Sequence, residues 1–182
     1  MVKDVYTRIK GTPITAGKMK EIENVDGDVR IFAGGKTVVN AFEKDIPKAN
    51  VTRVPSVLIQ SRGIIDAVFC NQPFTFKNEM WAYTHDSETS VRYLYYLMKN
   101  NIQTFREAAS GMGALPQISL PVTEEFVMLL PPEEEQERMV AILNKFESLC
   151  NDISEGLPAE IEARQKQYEY YRDKLLTFKE KE

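Results

Sequence analysis

The stretch VMLLPPEEEQERMVAILNKF, residues Val127–Phe146, divides the chain into two parts with different sequence patterns. A short apolar run is followed by two prolines, an acidic cluster and then apolar residues at helical spacing. Proline is tolerated in the first turn of a helix but disrupts its interior, so Pro131-Pro132 marks the beginning of a helical region. The stretch therefore predicts a globular domain over 1–130 and a helical region over 131–182.

Apolar residues in the helical region recur in alternating steps of three and four, which is the spacing of a coiled-coil seam. Pro158 interrupts this pattern, so we expect a kink near 156–158. An isolated helix of about 20 residues is marginal in water, and the seam therefore needs a partner. That partner is either the same chain, folded back as a helical hairpin, or a second copy. The predicted seam residues are Met139, Ile142, Phe146, Leu149, Ile161, Arg164, Tyr168, Tyr171, Leu175 and Phe178.

The first part of the chain contains short β-branched or aromatic runs bounded by Gly, Pro, Asn or Asp, a pattern typical of strands. Asp86 or Ser87 can cap one clear helix, and Val91, Leu94 and Met98 share one face of it. The predicted strands cover 29–33, 38–39, 51–60, 64–69, 74–76, 80–84, 116–120 and 125–130, and a shorter helix covers 102–109. The predicted fold class is a mixed α/β (α+β) domain followed by a long C-terminal coiled-coil arm.

Composition bears on several classes of function. Of the 182 residues 43% are apolar, enough for a core, but no segment approaches the roughly 20 apolar residues that span a bilayer. Cys70 and Cys150 form no CxxC motif, and the single histidine, His85, argues against a two-histidine metal site.

The N-terminus lacks the apolar run of a signal peptide, so a cytoplasmic location is expected. Net charge is +1 over 1–130 and −5 over 131–182, which leaves nucleic acid open as a partner of the first part.

The sequence AGGKT at 33–37 invites comparison with a phosphate-binding loop, whose motif is G-x-x-x-x-G-K-[ST]. Gly35-Lys36-Thr37 supplies the end of that motif, but Arg30 stands where the first glycine should be. The residues that follow predict a strand, whereas a phosphate loop requires a helix. We therefore expect a Gly-Gly turn whose exposed lysine could approach a DNA phosphate, with nucleotide-dependent catalysis as an alternative.

The helical region resembles the distal helical region of Type I restriction-modification specificity subunits in Pro131-Pro132, Glu135-Gln136, RMVAIL (138–143) and SEGLPAEIEARQKQYEYYRDKLLTF (154–178). The first part resembles the target recognition domain of the same family in GTPITAGK (11–18), IFAGGKT (31–37), SRGIIDAVF (61–69), QPFTFKNEMWAY (72–83), YLYYLM (93–98) and LPQISL (115–120). Full-length members carry two recognition domains and two helical regions. This chain is therefore similar to a half-length specificity subunit with a single recognition domain.

The resemblance implies a DNA-recognition subunit with no catalytic activity and no cofactor of its own. It implies S-adenosylmethionine in partner methyltransferase (M) subunits, and ATP with Mg in partner restriction (R) subunits. The expected partners are double-stranded DNA, those subunits, and a second copy of the chain or another specificity chain, with no membrane. Two identical copies related by a two-fold axis would read inverted half-sites of a palindromic bipartite target. A coiled-coil protein adaptor without DNA readout is the alternative.

Loop residues flanked by strands are the candidates for DNA contact, because Lys and Arg hold phosphates and a few side chains read base edges. Arg62 comes first, since Gly63 beside it allows close approach of the backbone; a salt bridge or a strand-end cap is the alternative. For the GGKT turn and the segment around Gln117 the alternative is a purely structural turn, and for Lys77 an ordinary exposed lysine. The predicted DNA-binding residues are Lys36, Thr37, Ser61, Arg62, Lys77, Ser110 and Gln117.

Overall fold

The computed structural model describes residues 1–110, 115–149 and 166–167. The chain divides into two compact units, Met1–Val140 and Ala141–Glu182, and the described strands all lie in the first. Some predictions fall outside the described residues, namely those for the kink near 156–158 and for the seam residues Ile161, Arg164, Tyr168, Tyr171, Leu175 and Phe178.

Short strands and helices alternate along the first unit, with two short 3-10 helices at Val2–Asp4 and Glu43–Asp45. The strands are β1 (Thr7–Lys10), β2 (Val29–Phe32), β3 (Val38–Ala41), β4 (Ser56–Gln60), β5 (Asp66–Cys70), β6 (Phe74–Phe76) and β7 (Trp81–Thr84). The helices are α1 (Ala16–Ile22), α2 (Glu88–Asn100), α3 (Ile102–Glu107) and α4 (Leu120–Glu124). A further helix, α5, covers 133–149, where this described range ends.

Two sheets organise the first unit. Four antiparallel strands lie in the order β1-β7-β4-β5, and a smaller sheet has the order β3-β2-β6, in which β2 and β6 are parallel. Every residue of β4 is buried, so both faces of this strand pack against apolar groups. Val57 and Ile59 belong to a core cluster that includes Leu94 of α2. Leu58, on the opposite face, belongs to a cluster with Phe74 of the smaller sheet.

Most of the predicted elements are present, and the observed domain is mixed α/β. Strands β2 to β7 coincide with or overlap predicted runs, although β3 extends two residues beyond its predicted run, and α2 and α3 lie where helices were predicted. Ser87 caps α2, because its side chain accepts a hydrogen bond from the Ser90 amide at 3.3 Å. Burial of Val91, Leu94 and Met98 confirms the predicted apolar face of this helix.

Two strand predictions are wrong, and helix α1, strand β1 and the two 3-10 helices were not predicted. The strand expected at 116–120 is limited to bridges at Gln117, and Leu120 begins α4, where Pro121 suits the first turn of a helix. Residues 126–130 form no strand. Helix α1 was missed because Met19 is its single buried residue, which gives no periodic apolar stripe. Strand β1 was missed because it is largely exposed and polar.

The first two turns of α5 pack against the beginning of α2 within the first unit. Gln136 is buried; its side-chain oxygen accepts from Ser90 Oγ at 3.0 Å and its nitrogen donates to the Pro131 carbonyl at 2.8 Å. The Ser87 hydroxyl donates to Glu133 Oε1 at 2.6 Å. These contacts explain why the compact unit extends to Val140, beyond the domain boundary predicted at residue 130.

Four predicted seam residues lie in the described part of α5, and all four are exposed in the single chain. Met139, Ile142, Phe146 and Leu149 keep 44%, 52%, 61% and 48% of their accessible surface. An apolar row of this kind on one helix is unusual for a surface that stays in water.

Thr123 joins α4 to the larger sheet through a buried polar cluster. Its hydroxyl accepts from Trp81 Nε1 at 2.8 Å and lies 2.8 Å from the Tyr83 hydroxyl. We expect Thr123→Val to lower the free energy of unfolding by about 2 kcal/mol, because two buried polar groups lose their partner. Chemical denaturation would measure this, with Thr7→Val at an exposed position as the control. Equal stability of the two variants would contradict the structural role of Thr123.

Candidate functional site

A groove of about 580 Å³ brings together segments that are far apart in the sequence. One wall comes from α1 and includes Lys20. The other walls come from the turn between β2 and β3, the loop after β4, and the loop before β7. Of the predicted DNA-binding residues, Thr37, Arg62 and Lys77 line this groove directly.

The Gly-Gly turn closes the hairpin between β2 and β3. The Ala33 amide donates to the Thr37 carbonyl at 2.9 Å, and Gly35 has a φ of 74°, a value that favours glycine. Lys36 and Thr37 are exposed at the tip. Because β3 follows the turn, the strand–loop–helix geometry of a phosphate loop is absent here, as the sequence predicted.

Arg62 lines the groove on a backbone held from several sides. Its carbonyl accepts from the Gly35 amide at 3.1 Å, and the amide of Gly63 donates to the Pro116 carbonyl at 2.8 Å. Gly63 has a φ of 79°, and a Cβ atom there would come within 3.3 Å of the Gly35 nitrogen. The Arg62 side chain is exposed and makes no ion pair with a described residue. The structure thus fixes the backbone and leaves the guanidinium available to a ligand.

Ser61 supports this loop from inside. It is fully buried, and its hydroxyl donates to the Glu79 carbonyl at 2.5 Å. Its own carbonyl accepts from the Ile118 amide at 2.9 Å. A buried hydroxyl with an internal partner cannot touch DNA, so the direct contact predicted for Ser61 does not fit. Its position indicates a role in holding the loop that carries Arg62.

Ser110 and Gln117 form an antiparallel bridge beside the Arg62 loop. Their backbones exchange two hydrogen bonds of 2.9 and 3.0 Å, and Gln117 also bridges to Arg62 in antiparallel fashion. Both residues are exposed. The segment 111–114 between them lies outside the described residues. The backbone of Gln117 is therefore structural, while its side chain faces solvent.

The groove carries more positive than negative charge. Lys77 Nζ lies 2.9 Å from Glu79 Oε1, and each of these two side chains keeps 24% of its accessible surface. Lys20, Lys36 and Arg62 have no acidic partner among the residues that the structure describes. The sequence did not single out Lys20, because assigning it to this site requires knowing where α1 packs. A polyanion is the ligand that this charge pattern favours.

Other chemically suggestive residues have ordinary roles. Burial raises the pKa of the Cys70 thiol to about 12, which keeps it protonated and unreactive. His85 packs against Tyr6 and accepts from the Ser87 amide at 3.0 Å, on the loop before α2. The described ranges contain no group of three His, Cys, Asp or Glu side chains placed to hold a metal ion. Among those residues there is also no helix with the length and apolar character to cross a membrane.

Comparison with known proteins gives consistent matches. A family model described as "Type I restriction modification DNA specificity domain" matches residues 2–163. The chain is 33% identical over 157 residues to the Type I restriction enzyme EcoR124I/EcoR124II specificity subunit of Escherichia coli, covering 79% of this chain and 39% of that protein. It is 33% identical over 141 residues to a putative type I specificity subunit of Haemophilus influenzae, covering 75% of this chain and 36% of that protein.

Among solved structures, the Type I restriction-modification S subunit from M. genitalium has a similar fold. The TM-score is 0.66 at 17% sequence identity, and the match covers 94% of this chain and 44% of the other. The chain thus spans less than half the length of these relatives, which corresponds to a single recognition domain.

Proposed function

Because the chain belongs to the Type I restriction-modification DNA specificity family, we propose that it binds one half of a bipartite DNA target. The observation that carries this proposal is the convergence of Thr37, Arg62 and Lys77 on one groove with surplus positive charge. The chain supplies the DNA sequence specificity of a larger complex in the cytoplasm and catalyses no reaction itself. It recruits methyltransferase subunits, which bring S-adenosylmethionine, and restriction subunits, which bring ATP and Mg.

Within the groove, the cations have two different tasks. Arg62 is held by its backbone and projects a planar fork of donors, which suits bidentate contact with guanine in the major groove. Lys20 on the α1 wall and Lys36, exposed on the Gly-Gly turn beside the groove, suit phosphates, which position the domain without reading sequence. Gln117 presents an exposed amide beside Arg62 and suits adenine.

A second copy of the chain would recognise the other half of the bipartite DNA target. The chain spans about two fifths of the length of its full-length relatives, and the described seam residues of α5 are exposed. Pairing of two such seams would bury the apolar row and relate two recognition domains by a two-fold axis. The site read by such a homodimer is a palindrome with two separated halves.

DNA binding by the complex of this chain with methyltransferase subunits tests the proposal. We expect the logarithm of the binding constant to fall steeply with the logarithm of salt concentration. Lys36→Ala is expected to weaken cognate and random DNA equally and to reduce that slope by about one, because it removes one phosphate contact. Methylome sequencing of cells that express the complex supplies the cognate site.

Lys44→Ala is the matched control for this experiment. Lys44 is also an exposed lysine with its ammonium over the Phe42 ring, but its sequence neighbours do not line the groove, whereas Gly35 and Thr37 beside Lys36 do. We expect this variant to bind DNA like the unmodified chain. A complex that binds DNA without salt dependence, or methylates no defined sequence, would instead favour a coiled-coil adaptor without DNA readout.

A further inference from the structure

An acidic side chain lies where the basic groove is expected to meet DNA. Strands β4 and β7 are antiparallel with Ile59 opposite Trp81. The same register, continued by two residues, places Ser61 opposite Glu79, and the Ser61 hydroxyl is bonded to the Glu79 carbonyl at 2.5 Å. Arg62 and Glu79 therefore leave the sheet from neighbouring ends of paired strands, and both line the groove.

The loop that carries Glu79 is well fixed. The Lys77 amide donates to the Phe32 carbonyl at 3.0 Å, and the Met80 amide donates to the Lys77 carbonyl at 3.0 Å. The Glu79 carboxylate is oriented by Lys77 through its Oε1 atom. In the described residues no hydrogen bond or ion pair to Oε2 is found, and the side chain is partly exposed to the groove. One oxygen of the carboxylate is thus held in place while the other can still accept a hydrogen bond.

A carboxylate near DNA is costly unless it meets a hydrogen-bond donor, because the phosphates repel it. The donors that bases present in the major groove are the exocyclic amino groups, N4 of cytosine and N6 of adenine. Lys77 offsets part of the repulsion from nearby phosphates. Guanine O6 and N7 and thymine O4 are acceptors and would be rejected by the same carboxylate.

We infer that Glu79 is a specificity-determining residue that accepts a hydrogen bond from an exocyclic amino group of one base in the half-site, beside the base that Arg62 contacts. This inference rests on the proposed DNA-reading function of the groove. The competing explanation is that Glu79 only neutralises Lys77, in which case it would contribute nothing to the choice of base.

The test uses base analogues in the complex with methyltransferase subunits. Each cytosine of the cognate half-site is replaced in turn by 2-pyrimidinone, and each adenine by purine; both analogues lack the exocyclic amino group. For the unmodified chain, we expect one replacement to weaken binding about tenfold beyond the others, since a hydrogen bond to a charged group is worth about 1.4 kcal/mol or more. Glu79→Ala is expected to weaken binding to unmodified DNA by a similar factor.

The decisive quantity is the coupling between protein and DNA changes. With Glu79→Ala, the critical analogue should cause no further loss, whereas losses at other positions should persist. A sensitive 2-pyrimidinone position identifies cytosine as the selected base, and a sensitive purine position identifies adenine. Glu43→Ala is the control, because Glu43 is a carboxylate paired with Arg53 outside the groove, and it should leave the sensitivity to the critical analogue in place. If Glu79→Ala does not fold, Glu79→Leu takes its place and should show the same coupling, because leucine fills similar space without a hydrogen-bond acceptor.

Fully additive losses at every position would overturn the inference, as would equal effects of Glu79→Ala and Glu43→Ala on all duplexes. Failure of the proposed function gives a different result. In that case the unmodified complex would show no sequence preference at all, before any variant is made.

Discussion

Arg62→Ala is expected to weaken cognate DNA binding by the assembled methyltransferase about 100-fold and to change binding to random DNA by no more than about twofold. A bidentate arginine–guanine contact contributes roughly 1–3 kcal/mol of discrimination, and the fixed backbone places Arg62 toward the upper end of that range. The exposed guanidinium has no described ion-pair partner to release, so its removal leaves the folded domain intact. Competition binding with cognate and random duplexes measures both losses.

Arg53→Ala provides the matched control for Arg62→Ala. Arg53 is an exposed arginine that pairs with Glu43 outside the groove. Arg53→Ala therefore removes an arginine side chain, as Arg62→Ala does, but away from the proposed DNA-binding site. We expect its cognate affinity to stay within about twofold of the unmodified chain, as is usual for surface substitutions. If Arg62→Ala weakened cognate and random DNA by the same factor, Arg62 would be a phosphate contact and not a base reader.

Placing two aspartates in the seam, as Ile142→Asp with Phe146→Asp, is expected to convert the proposed dimer into a monomer at micromolar concentration. Both side chains are exposed in the single chain, so the change does not disturb the core of the first unit. In a paired seam, each carboxylate would lose its water without gaining a partner, at a cost of several kcal/mol per ion. Light scattering gives the mass, and methylome sequencing should show loss of the bipartite site.

The corresponding control is Ser148→Asp, which adds a carboxylate to the same helix at a position outside the seam pattern. This variant should remain dimeric and should support methylation. The proposed assembly would be refuted if the unmodified chain were monomeric at micromolar concentration both alone and with methyltransferase. A double variant that stayed dimeric would show that the copies associate through another surface.

Local sequence patterns were sufficient for elements whose residues face the core. Strands β4 and β7 and helix α2 carry β-branched, aromatic or periodic apolar residues, and their predicted positions agree with the structure within a few residues. Helix α1 and strand β1 lack such patterns, because few of their side chains are buried. Their formation depends on contacts made by distant residues, which no local pattern reveals.

The candidate site was only partly accessible to sequence reasoning. Loops rich in glycine and flanked by strands drew attention to Lys36 and Arg62, but nothing in the sequence indicates that these loops share one groove. Lys20 and Glu79 join the site through the packing of α1 and the register between β4 and β7. Ser61 was predicted to bind DNA together with its neighbour Arg62. The burial of Ser61 shows that it supports the loop, whereas the Arg62 side chain is exposed.

The complete burial of β4 has a consequence for how such a protein can evolve. The side chains proposed to meet DNA project from loops at the end of a strand that is anchored on both faces, while Gly35, Ser61 and Gly63 maintain the loop backbones. Exchange of an outward-facing residue such as Arg62 or Glu79 therefore leaves the scaffold untouched. Under the proposed DNA-reading function, a lineage would acquire a new methylation pattern by a few such exchanges, whereas drift at the three supporting residues is constrained by folding.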